Sequence, residues 1–172
     1  VKHEEGKPAV NPGQKISVLM VCMGNICRSP MAHGVLAARV RDAGLDHRIE
    51  VDSAGTHGYH VGEPPDPRAQ DAARARGYDL GGLRARRLVR EDFEAFDYIL
   101  VMDDENLRNA RSLQPSTGKA RLHRFLEFAQ HRSEREVPDP YYGGTQGFAA
   151  VMDMVEAAAD GFLEHVLEQD AL

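Results

Sequence analysis

The chain has 172 residues, 42% hydrophobic and 28% charged, with a formal net charge of −6 at pH 7. That length suits one domain with one sizeable core, and the acidic balance argues against a general nucleic-acid binder. No apolar run approaches the roughly 18–20 residues needed to span a bilayer, the opening Val1-Lys2-His3-Glu4-Glu5-Gly6-Lys7-Pro8 lacks the apolar stretch of a secretion signal, and two cysteines five positions apart cannot staple a fold, so the expectation is a cytoplasmic protein without a membrane partner.

Residues 1–14 are polar and broken by Pro8, Pro12 and Gly13, and read as a disordered lead to a single domain at 15–172. Ile16-Ser17-Val18-Leu19-Met20-Val21 is a nearly continuous apolar run, the pattern of a strand buried on both faces. Ser29 offers an N-cap and Pro30 a first helical position, with Met31, Val35, Leu36 and Val40 striping one helix face and Gly44 as the stop. A second strand is predicted around Arg48-Ile49-Glu50-Val51, and a helix capped by Asp66-Pro67 that ends near Gly77. Tyr98-Ile99-Leu100-Val101-Met102 reads as a third strand, followed by a polar helix from about Asp103, and Ala120–Phe125 as a fourth strand. Phe148, Val151, Met152, Val155, Phe162 and Val166 recur at helical spacing in a final helix. Alternating β and α elements in so short a chain predict an open four-stranded parallel sheet flanked by helices, an α/β fold of flavodoxin-like type. Ligands of such sheets bind beyond the carboxyl ends of the strands, which places Cys22, Ser53 and Asp103 on one rim.

The charges are unevenly placed. Arg68, Arg74, Arg76, Arg84, Arg86, Arg87 and Arg90 crowd one segment, and Asp153, Glu156, Asp160, Glu164, Glu168 and Asp170 fill the last helix without a Lys or Arg. Both runs read first as solvated helix faces.

Chemistry concentrates at Val21-Cys22-Met23-Gly24-Asn25-Ile26-Cys27-Arg28-Ser29-Pro30. A cysteine and an arginine six positions apart are weak evidence alone, but this loop leaves a buried strand and runs straight into a helix. Successive backbone N–H groups from Met23 to Arg28 can curl into an anion cradle above the positive end of that helix. Gly24 removes a side chain where the backbone approaches an anion, and Asn25 tolerates left-handed geometry. Such a cradle stabilises a thiolate at Cys22 and then holds a phosphate, whose oxygens the Arg28 fork can grip in pairs. A thiolate beneath a fixed phosphorus is a nucleophile in attack position.

The run V-C-M-G-N-I-C-R-S-P at 21–30 closely resembles the signature of the low-molecular-weight protein tyrosine phosphatases. The resemblance continues through D-S-A-G at 52–55, V-G-E-P-P-D-P-R at 61–68, F-D-Y-I-L-V-M-D at 96–103 and D-P-Y-Y-G at 139–143, in the family's order. It implies a protein tyrosine phosphatase that takes phosphotyrosine-containing proteins as substrates, releases inorganic phosphate and needs no metal or cofactor. By that resemblance Cys22 takes the phosphoryl group, Arg28 binds it, Ser29 donates a hydrogen bond to the thiolate, and Asp139 serves as general acid and then general base. Tyr59, Tyr141 and Tyr142 match the walls around the substrate ring, and Ser53 matches a residue that supports Asn25. Leu83 stands where many relatives carry a histidine that also braces the asparagine, and leucine cannot make that bond. On residue type alone, Asp139-Pro140 would read as a turn.

Cys27 can be read as a resolving thiol that forms a disulfide with oxidised Cys22, or as a small hydrophobe under the loop. His57, His60 and Glu63 have zinc-compatible side chains but no closing ligand at suitable spacing, and Asp103-Asp104-Glu105 suits a helix start. No phosphate-loop or dinucleotide motif is present. Two other functional readings stay open at this point: an arsenate-reductase-like thiol enzyme, which would need a further cysteine pair downstream, and a non-catalytic phosphate-binding module.

Overall fold

The computed structural model describes residues 14–141 and 143–169. The expectation of a disordered lead at 1–14 therefore falls outside the described residues except at Gln14, and so does Tyr142. Four strands, β1 (Ile16–Cys22), β2 (Ile49–Gly55), β3 (Tyr98–Val101) and β4 (Arg121–Arg124), form one parallel sheet in the order β2-β1-β3-β4. The helices are α1 (Arg28–Asp42), α2 (Pro67–Arg74), α3 (Asp92–Ala95), α4 (Asp104–Leu113) and α5 (Thr145–Gln169), with a 3-10 turn at Phe125–Phe128.

The apolar run of β1 explains its central place. Val18 and Met20 face one layer, where they join Val35 and Leu36 of α1 and Val151, Val155 and Phe162 of α5. Leu19 and Val21 face the other, with Phe93 of α3, Ile99 and Val101 of β3, and Leu107 and Ala110 of α4. A strand covered on both sides cannot alternate polar and apolar residues. The predicted apolar stripes of α1 and α5 are all buried.

The chain goes from β1 to β2 on one side and then crosses to β3 on the other. The carboxyl end of β1 is thus the point where the strand order reverses and where a crevice opens. Cys22 ends β1 and Asp103 follows β3 at that crevice. Two details differ from the sequence reading. The α1 helix begins at Arg28, one residue before the expected cap, and its N-cap position, Cys27, makes no side-chain cap bond. Ser29 is instead fully buried, and its hydroxyl turns to the Cys22 sulfur. The four-residue α3 helix and the 3-10 turn after β4 were not expected, being too short to show a period.

Candidate active site

The loop from Cys22 to Arg28 curls around the sulfur of Cys22. The Asn25 backbone N–H donates to Cys22 Sγ at 3.3 Å, and Ser29 Oγ lies 3.0 Å from it. Asn25 takes the left-handed conformation expected of it, with φ of 60°. Its side chain is fully used: Nδ2 donates to Ser29 Oγ at 2.8 Å, and Oδ1 accepts the Arg86 backbone N–H at 3.0 Å. The loop backbone also leans on β2. A Cβ on Gly55 would lie 2.7 Å from the Met23 carbonyl oxygen and 3.1 Å from the Asn25 nitrogen, so only glycine lets the two segments approach. Thr56 and His57 N–H groups then donate to the Cys22 and Met23 carbonyls at 2.9 and 3.0 Å.

Arg28 is 2% exposed, among the most buried side chains of the molecule. Its Nη1 donates to Asp103 Oδ2 at 2.6 Å and to the Val137 carbonyl at 2.9 Å, while Nη2 lies 3.8 Å from Asp139 Oδ2. Burial works against its charge, but Cys22, Asp103 and Asp139 outweigh burial and hold the guanidinium more firmly protonated than usual.

Asp139 sits on a loop tied to the sheet, since the Val137 N–H donates to the Met102 carbonyl at the end of β3. One Asp139 oxygen accepts the Tyr141 N–H at 3.0 Å and the other faces Arg28. One oxygen thus serves the turn expected from Asp139-Pro140, and the other is turned toward the buried arginine. Arg68 fastens the far side of this loop: its Nη1 donates to the Tyr141 carbonyl at 2.8 Å, and its guanidinium lies over the Tyr141 ring at 5.2 Å. Asp66 grips Arg68, and the Arg68 partnership holds its carboxyl below the usual carboxylate range. The Asp66 N–H donates to the Ile26 carbonyl, so the start of α2 links the cysteine loop to the Asp139 loop.

Together these elements enclose a cavity of about 320 Å³ lined by Cys22, Met23, Gly24, Ile26, Cys27, Arg28, Tyr59, His60, Asp139 and Tyr141. Tyr59 stacks on His57 at 5.0 Å, and the His60 ring covers Gly24 so closely that a Cβ there would meet it at 3.0 Å. His60 Nδ1 also pairs with Glu63 at 2.8 Å. Both cysteines are buried free thiols. Burial first, then the neighbouring charges of Asp66, Cys22 and Asp139, push the Cys27 thiol up to about 12.

Ser53 does not reach Asn25. Its hydroxyl is 3.0 Å from His33 Nδ1 of α1, and Leu83 packs against the apolar core. The bracing that resemblance assigned to Ser53 and to the residue at 83 falls here to Ser29 and the Arg86 N–H. Sequence reasoning also missed Asp103 as a partner of Arg28. Its only signal was its place at the end of β3, on the same rim as Cys22.

A parallel sheet that delivers a buried thiol, an arginine and a carboxylate to one crevice at its switch point defines a thiol-dependent phosphate-ester enzyme. The family model described as low molecular weight phosphotyrosine protein phosphatase matches residues 17–172. A low molecular weight protein-tyrosine-phosphatase of Streptomyces coelicolor is 46% identical over 155 residues, covering 88% of this chain and 94% of that protein. The human low molecular weight phosphotyrosine protein phosphatase is 41% identical, covering 86% and 94%. The crystal structure of an Entamoeba histolytica protein tyrosine phosphatase superposes with a TM-score of 0.86 at 37% identity, covering 92% of this chain and all of that one. The chain belongs to the low-molecular-weight protein tyrosine phosphatase family, and it is a cysteine-dependent phosphatase of phosphoproteins.

Proposed function

We propose that Cys22 is the nucleophile, Arg28 the phosphate grip and Asp139 the general acid of a two-step hydrolysis of phosphotyrosine. In the first step the Cys22 thiolate forms an S–P bond as the P–O bond to the aryl oxygen breaks, and Asp139 gives its proton to that oxygen. In the second, Asp139 takes a proton from water as the water oxygen attacks phosphorus. The products are inorganic phosphate and the free thiolate.

The observation that carries this reading is the placement of the Asp139 carboxylate beside Arg28, in the same cavity as Cys22. Asp103 and Val137 occupy Nη1 of Arg28, so its Nε and Nη2 edge is left for two oxygens of a phosphate. Ser29 and the Asn25 N–H converge on the sulfur and would hold the thiolate both as nucleophile and as leaving group. Tyr59 and Tyr141 suit the two sides of a flat phenyl ring, and Tyr142 is assigned to the same wall by resemblance alone. Ser53 keeps a supporting role through His33 and β2. Two free thiols and no cysteine after Cys27 fit a reducing cytoplasm and disfavour a disulfide-relay arsenate reductase. A pure phosphate binder would need neither the thiol nor the carboxylate.

Turnover of p-nitrophenyl phosphate tests the assignment. Cys22→Ser should still bind phosphate or vanadate but lose activity, and a variant that kept more than a few per cent of wild-type kcat would refute the covalent route.

A further inference from the structure

Most of the arginines crowded between 68 and 90 are spent on carboxylates of this chain. Arg68 pairs with Asp66, Arg74 with Asp71, Arg76 with Asp153 and Arg86 with Asp92. Arg87 and Arg90 are different. Both are exposed, and among the described residues neither has a carboxylate partner, but only Arg87 is bridged to the end of β2. Arg84 is exposed too and spends its guanidinium on the Gly81 and Leu83 carbonyls, which leave its charge unneutralised.

The position of Arg87 follows from the sheet. Cys22 stands opposite Gly55 in the register of β1 and β2, and Gly55 forms a parallel bridge with Arg87 on its other side. Two strand spacings therefore separate the backbones of Cys22 and Arg87, about 10 Å. The loop that carries Tyr59 is stitched to the same segment. The Gly62 N–H donates to the Ala85 carbonyl, the Ala85 N–H to the Glu63 carbonyl, and a Cβ on Gly58 would touch the Arg87 side chain at 3.6 Å. Tyr59 and Val61, at 67% and 60% exposed, are the two most exposed large apolar side chains of the described chain. An apolar ledge thus runs from the mouth of the catalytic cavity to an unpaired cation, on a protein whose net charge is negative.

We infer that this ledge is a docking surface for the substrate peptide, and that it selects phosphotyrosines with a carboxylate side chain two to four residues away. An extended peptide advances about 3.3 Å per residue, so acids two and four residues from the phosphotyrosine, whose side chains leave the same face, lie about 7 and 13 Å along it and bracket that 10 Å. Its backbone lies across Tyr59 and Val61, and the acid meets Arg87, with Arg84 adding to the local field. The molecule's overall charge repels acidic peptides, and Arg87 is where that repulsion is locally reversed. The inference rests on the phosphatase reading above and names the substrate class of the same site.

The test measures kcat/KM on p-nitrophenyl phosphate and on phosphotyrosine peptides with Glu at positions two to four before the phosphotyrosine, after it, or replaced by Gln. Wild type should favour one acidic series over the Gln peptides about three- to tenfold, and added salt should shrink that preference. Arg87→Glu should abolish or invert the preference while it leaves p-nitrophenyl phosphate turnover within about twofold. Val61→Ser should weaken all peptides equally and leave the small substrate alone. Equal kcat/KM for acidic and Gln peptides in wild type, or a preference that survives in Arg87→Glu, would overturn the docking surface. Loss of p-nitrophenyl phosphate turnover in wild type would strike the phosphatase reading instead.

Discussion

Asp103 divides its carboxylate between two tasks. Oδ1 accepts the Asn106 N–H and caps α4, and Oδ2 holds Arg28. A helix start and the buried arginine of the cavity are thereby fixed to one atom group, which is why an acid reads as a simple cap in the sequence. Asp139 divides its oxygens in a similar way, so its contact with Arg28 is equally hidden. Its proposed chemistry is separable by leaving group. Asp139→Asn keeps the turn but cannot give a proton, so kcat should fall by about 10²–10⁴-fold for an aryl phosphate whose phenol leaves poorly. The fall should be much smaller for a phenol that leaves as a stable anion, and equal losses across a leaving-group series would remove Asp139 from the acid role. Cys27 makes a contrasting residue. With its thiol pushed up to about 12 it stays protonated at neutral pH, so a thiol-alkylating reagent should modify Cys22 and spare Cys27. On the proposed resolving role of Cys27, peroxide oxidises Cys22 to the sulfenic acid, and attack of Cys27 on that sulfur would release water and close a disulfide. Peptide mapping after peroxide should show a Cys22–Cys27 crosslink that forms faster as pH rises from 7 to 9. Recovery by reductant that is equal in wild type and Cys27→Ser, with no crosslink, would leave Cys27 as packing alone.

At the scale of elements, the strands and long helices were legible because their burial leaves a period in the sequence. The β1 strand is apolar but for Ser17 because both its faces are covered, and α5 shows its stripe because only one face is. The loop's signature was legible as well, down to the left-handed Asn25. Its support was not, because the donor that fixes Asn25 Oδ1 is a backbone N–H, and any residue but proline at 86 supplies one. What matters is the placement of that backbone, and the Arg86 side chain anchors it. The guanidinium donates to Asp92 at 3.1 and 3.2 Å, and the same carboxylate accepts the Val89 N–H at 2.9 Å, which binds the 86–89 segment to the start of α3. Asp92→Asn should therefore act at a distance. Stability should fall by about 1–2 kcal/mol, and phosphate affinity and kcat on p-nitrophenyl phosphate should each drop several-fold as Asn25 loosens. A variant that lost stability while keeping both kinetic constants would show that the segment braces the fold but not the loop.

Across the whole molecule, the acidic run of α5 is held by Arg39 of α1 and by Arg76, one member of the arginine-rich segment. Arg39 of α1 reaches Glu156 at 3.4 Å and Asp160 at 2.8 Å, Arg76 beyond α2 reaches Asp153 at 2.8 Å and also Glu156, and the Tyr78 hydroxyl donates to Glu156 at 2.8 Å. Glu156 is the hub where α1, the α2 region and α5 meet, on the side of the sheet that carries the start of α1 and so the loop from Cys22 to Arg28. Burial alone would raise its pKa, but the Tyr78 hydroxyl and Arg76 outweigh burial and hold it below the usual carboxylate range. The folded state thus binds this proton less tightly than the unfolded chain, so the contribution to stability is present above the ordinary glutamate value of 4.5 and lost as pH falls through the lower folded value. Glu156→Gln should cost about 1 kcal/mol at pH 7, a modest figure because the side chain remains partly in water. Denaturant unfolding of both proteins from pH 7 down to pH 3 checks the sign. The two curves should converge as the wild-type carboxylate takes up its proton, and a gap that stayed constant to pH 3 would mean that Glu156 acts through shape and hydrogen bonding rather than through charge.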